Sequence, residues 1–149
     1  MTLKISFRDA VLAAIASGAE SIEEVANALM VREDIVKRAV GELKDFGLIV
    51  EVERGFWIFK RRVLKLTEEG RLRAEEVLER LRRIATEVKS RVSSDARPEE
   101  LQGIIEPYGP VLPLLFYLGF LDILLLESLL FMPLLAWDLS EFGSDAVIE

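Results

Sequence analysis

The chain has 149 residues, 51% apolar and 30% charged, which suits one compact domain, or a small domain plus an assembly element, rather than a disordered chain. It contains no Cys and no His, which excludes disulfides, thiolate or imidazole metal sites, and Cys or His catalysts. Its net charge of −7 is unevenly spread: residues 1–97 hold all 19 bases against 17 acids, hence +2, while residues 98–149 hold nine acids and no base. Such a split suggests two parts with different jobs. Asn27 and Gln102 are the only side-chain amides while Glu and Arg abound, which leans towards a heat-adapted composition. The opening "MTLKISFRDA" has no long apolar core and no small-residue cleavage site, so no secretory signal is read and a cytoplasmic location is expected.

In chain order, residues 6–17, "SFRDAVLAAIAS", predict a short helix with Phe7, Val11, Leu12 and Ile15 on one face, ended by Gly18. "SIEE" at 21–24 reads as a capping box, in which the Ser21 hydroxyl accepts from the Glu24 amide and the Glu24 carboxylate reaches back to the Ser21 amide. It opens a second helix with Ile22, Val25, Ala26 and Leu29 inward. After a turn at Met30 and Val31, a third helix runs to about Phe46. It buries Ile35, Val36, Ala39, Val40 and Leu43, and Gly47 stops it. The second and third helices, separated by a tight turn, form a helix-turn-helix pattern.

The period then changes. Leu48, Val50 and Val52 alternate with Ile49, Glu51 and Glu53, as in a half-buried strand. Arg54-Gly55 is expected to make a two-residue hairpin turn, with a returning strand from Phe56 to about Leu66. Thr67 caps a long helix from Glu68 to about Val92. Its apolar stripe is Leu72, Val77, Leu78, Leu81, Ile84, Ala85 and Val88, and Glu69–Arg73, Glu76–Arg80, Glu79–Arg83 and Glu87–Arg91 are spaced as i,i+4 pairs.

These signals divide the chain into a helical domain with a β-hairpin at 1–66, a long helix at 67–93, a linker with a short helix begun by Pro98 at 94–110, and an apolar segment with an acidic tail at 111–149. The segment from Val111 to Trp137 is long enough for a membrane span. Asp122 near its middle, with no basic residue downstream, favours instead a helix bounded by Pro113 and Pro133 that packs on protein. The membrane anchor is the alternative, since Arg97 precedes the segment and only acids follow.

The order helix, capped helix, helix ending "LKDFGLI", hairpin and "LTEEGR" resembles winged helix-turn-helix transcriptional regulators of the MarR and PadR groups. Val36, Val40, Leu43, Phe46, Gly47, Leu48 and Ile49, then Leu66, Thr67, Glu68, Glu69, Gly70 and Arg71, carry the resemblance. It covers about residues 6–90; the part after 98 matches no family pattern. The resemblance implies a mostly α fold with a hairpin wing, duplex DNA as partner, and a homodimer. The chain departs from the pattern in placing Val31 at the cap of the third helix and the acids Glu33 and Asp34 in its first turn.

The expected DNA-binding residues are Arg32, Lys37, Arg38, Lys44, Arg54, Lys60, Arg61 and Arg62, on the third helix and the wing, where cations can neutralise phosphates. Phe56, Trp57 and Phe59 are expected to fill the space between wing and helices; a platform for stacking unpaired bases is the alternative. A stripe as long as that of the fourth helix exceeds what three short helices can cover. Leu72, Val77, Leu78, Leu81, Ile84 and Val88 are therefore the expected dimer interface, unless the C-terminal segment folds back onto them. The carboxylates of the fourth helix stand beside no nucleophile, phosphate loop or cation site of recognisable spacing, so no catalytic residue, metal or cofactor is expected. The reading is a transcriptional regulator; a protein-interaction module of a larger complex, membrane-anchored or not, is the rival.

Overall fold

The computed structural model describes residues 5–92 and 106–121. Its elements are α1 (Phe7–Ala16), α2 (Ile22–Leu29), α3 (Glu33–Asp45), β1 (Ile49–Arg54), a 3-10 turn (Trp57–Phe59), β2 (Arg61–Leu66), α4 (Glu68–Val92), a second 3-10 stretch (Glu106–Val111) and α5 (Leu112–Tyr117). The fold is mostly helical, with one antiparallel hairpin between α3 and α4, a winged-helix-like arrangement.

Helix α1 lies at the centre, packed against α2, α3, α4 and β2. Its Ala10, Ala13 and Ala14 are buried along with Phe7, Val11, Leu12 and Ile15, so most of its circumference is buried rather than one face. Ser6 caps it by accepting from the Asp9 amide at 3.1 Å. In α2 the Ser21 hydroxyl accepts from the Glu24 amide at 3.1 Å as the capping box requires. The Glu24 carboxylate, however, takes the Glu20 amide at 2.8 Å rather than that of Ser21. Arg32, not Val31, is the N-cap of α3, and no side chain closes that cap.

The end of α3 and the start of α4 are tied in one knot. The Leu48 amide donates back to the Leu43 carbonyl and the Gly47 amide to that of Lys44, with Gly47 at φ 76°: a Schellman stop. The Thr67 amide then donates to the Leu48 carbonyl at 3.0 Å and its hydroxyl to the Gly47 carbonyl at 2.7 Å, while the Gly70 amide donates to that hydroxyl at 3.0 Å. "FGL" and "LTEEG" are thus two halves of one local structure.

The hairpin differs from expectation. The strands pair Ile49 with Leu66 through Arg54 with Arg61, so the connection is the six residues 55–60 and not a two-residue turn. Residues 56–59 do not join the returning strand. The Leu64 amide reaches the Glu20 carbonyl at 2.8 Å, which fixes β2 to the segment between α1 and α2.

Helix α4 buries Ala74, Val77, Leu81, Ile84, Ala85 and Val88 within the chain. Four of the six expected interface residues, Val77, Leu81, Ile84 and Val88, are therefore covered without a second copy; Leu72 is exposed and Leu78 half-buried. Part of the cover folds back from the C-terminal side. The Tyr108 hydroxyl donates to Glu87 at 2.9 Å, and the Arg82 guanidinium lies 5.0 Å from the centre of the Phe120 ring. The expected Glu–Arg ladder is also re-routed: Arg73 and Arg80 turn to the buried Asp9 of α1, at 3.0 and 3.4 Å, while Glu79–Arg83 forms at 3.8 Å.

The apolar segment enters the described residues only at its start. There α5 is six residues long and is followed by Gly119 at φ 79°, so no continuous helix runs on from Pro113. Among the described residues no helix is long and apolar enough to cross a membrane. Pro98, the later part of the apolar segment and the acidic tail lie outside the described residues.

Candidate nucleic-acid interface

The eight expected cations fall on two neighbouring elements. Arg32 caps α3; Lys37, Arg38 and Lys44 lie along it; Arg54 ends β1, Lys60 ends the connection, and Arg61 and Arg62 begin β2. Two carboxylates organise half of them. Glu51 on β1 takes Lys44 from α3 and, at 3.7 Å, Arg62 from β2, so one acid joins helix to hairpin. Glu20, just before α2, takes Arg54 and, at 3.3 Å, Arg61. Arg54 and Arg61 face each other across the hairpin register, a like-charge pair that is unfavourable alone and is relieved by the shared acid.

Arg32 grips Asp34 two-fold, at 3.0 and 2.9 Å, and that hydrogen bond holds the Asp34 carboxyl below the usual carboxylate range. The Lys44 ammonium, assisted by Arg62, does the same for Glu51. Among the described residues the Lys37 and Lys60 side chains have no hydrogen-bond or ion-pair partner. None of the pairs above joins Lys37 or Arg38 to the hairpin. All these pairs lie at the surface, where an ion pair contributes little, so exchange of carboxylate for phosphate is cheap.

The tip of the hairpin overturns the core assignment of its aromatics. Phe56, Trp57, Ile58 and Phe59 are 72%, 82%, 88% and 75% exposed. The apolar residues that do pack under the hairpin are Ile49, Val63 and Leu64. Sequence reasoning also missed Glu20 and Asp9. Each is paired with residues 34 to 71 positions away, a separation that leaves no local pattern to read.

No family model matches the chain, and comparison with curated proteins finds no match.

Proposed function

We propose that the protein is a DNA-binding transcriptional regulator that lays α3 in the major groove of a duplex and rests the hairpin on the adjoining backbone. The observation that carries this reading is the concentration of Arg54, Lys60, Arg61 and Arg62 on a hairpin held to α3 through Lys44 and Glu51. Phosphates would displace Glu20 and Glu51 from their cations, and each phosphate neutralised would release counterions from the DNA, so binding would depend on salt. Action as a homodimer is part of the proposal. Its contact would use the surface of Leu72 and Leu78, since the rest of the α4 stripe is covered.

The second reading is a protein-interaction module. It is favoured by the same two acids, which leave the basic surface partly neutralised, and by the apolar hairpin tip. Selection of bound sequences from a random duplex pool separates the two. Enrichment of a palindrome supports a dimeric regulator, and a pool that stays unenriched after repeated rounds removes it in favour of the module.

A further inference from the structure

Single exposed apolar side chains are ordinary, but four large ones in succession are not. Phe56, Trp57, Ile58 and Phe59 stand together at the end of the hairpin, on a backbone that is itself well fixed. The Phe59 amide donates to the Phe56 carbonyl at 3.1 Å and the Lys60 amide to that of Trp57 at 3.4 Å. Gly55 takes φ 93°, and a Cβ there would stand 2.5 Å from the Phe59 carbonyl oxygen, so the turn closes onto a glycine. Trp57 adopts φ 60°, a region that side chains other than glycine, asparagine and aspartate rarely enter. Such a turn holds its side chains outward rather than letting them collapse onto the hairpin.

The base of this tip is cationic. Arg54 and Arg61 flank it across the register, Lys60 adjoins it, and Arg62 follows. Six-residue strands set the tip about 20 Å from the base of the hairpin, far enough to pass a phosphate backbone beside the major groove.

We propose that the hairpin tip is a base-stacking wedge: its aromatic and Ile side chains enter between bases while Arg54, Lys60 and Arg61 grip the flanking phosphates. The protein then favours DNA that is locally opened or easily unstacked over regular duplex. This rests on the DNA-binding reading above. A base step meets only the tip and its cations. An anionic lipid surface, by contrast, extends under the whole molecule, whose net charge of −7 it repels. A fixed turn also suits a wedge, because its conformational entropy is already lost before binding.

The test uses the full chain carrying Trp137→Phe, which leaves Trp57 as the sole tryptophan. It is titrated with regular duplex, with the same duplex containing a short mismatched bubble, and with phosphatidylserine–phosphatidylcholine vesicles, following both Trp57 emission and DNA anisotropy. The wedge predicts quenching of Trp57 on binding and about tenfold tighter binding to the bubble. It also predicts that Phe59→Ser removes that preference while the salt slope stays unaltered, since no phosphate contact is lost. Because Phe59 is exposed, its thermal melt serves as the folding control. DNA binding with Trp57 emission unchanged overturns the wedge and spares the DNA reading. No binding to either DNA overturns both. Blue-shifted emission with vesicles, and none of the DNA responses, replaces the wedge by a lipid-surface contact.

Discussion

At Gly70 a methyl group would stand 2.0 Å from the Leu48 carbonyl oxygen, a backbone atom that Thr67 already uses. Gly41, on the open face of α3, would meet nothing within 4 Å. Two helical glycines therefore call for opposite outcomes. Gly70→Ala should destabilise by about 2–3 kcal/mol, because α4 and the turn at Leu48 must part. Gly41→Ala should stabilise by about 0.5–1 kcal/mol, because Ala is the better helix former and nothing obstructs it. Urea unfolding of the two variants beside the parent checks both, and equal shifts would contradict the contact at Leu48. Asp9 poses a different residue-scale question. It is buried in α1, and Arg73 and Arg80 converge on it from α4. Asp9→Ala strips a partner from two partly exposed arginines, so the loss should reach about 1–3 kcal/mol, short of what a fully buried pair would give. The same unfolding measurement reads it.

Among the elements, the hairpin is where charge decides attachment. Glu51 links α3 to both strands, and Lys44 beside it holds its carboxyl below its ordinary value of 4.5. A lowered folded pKa means that this contribution is complete above 4.5 and is lost as pH falls through the lower, folded value. Thermal melts from neutral to acid pH should therefore lose stability in that range, and Glu51→Gln should flatten that part of the curve. An unchanged pH profile in the variant would show that Glu51 adds nothing. The helices were legible in the sequence because their periods and stops are local: Ser21 and Glu24, the Gly47 stop and the cap at Thr67 all lie within a few residues of what they terminate. The hairpin connection was not. "FWIF" has the composition of a strand, and Arg54-Gly55 the look of a tight turn. Only the register, with Arg54 opposite Arg61, shows the chain leaving the ladder for six residues. The exposure of the aromatics is hidden in the sequence for the same reason, since composition reports hydrophobicity and not which way a turn points.

Over the whole molecule, α4 is the spine on which α1 packs, and the chain from 106 to 121 reaches it through Tyr108 and Phe120. Leu81 lies fully inside this arrangement. Leu81→Glu should consequently lower the melting temperature equally at every protein concentration, with a loss of about 3 kcal/mol or more from an unpaired buried charge. A loss that shrank as protein concentration rose would place Leu81 in a contact between copies instead. What covers the α4 stripe was illegible, because a stripe seen in sequence does not say whether its cover comes from the same chain. The basic surface was legible as a set of residues, but not as a set already paired to Glu20 and Glu51. In the proposed function these cations exchange carboxylates for phosphates on binding. The proposal is tested most directly by anisotropy of a labelled duplex titrated with the parent chain and with Arg61→Ala/Arg62→Ala across a range of salt. Salt-sensitive binding by the parent is expected, and in the variant a weaker affinity with a salt slope smaller by about 1–2. Absence of salt-sensitive duplex binding by the parent at micromolar protein would contradict it.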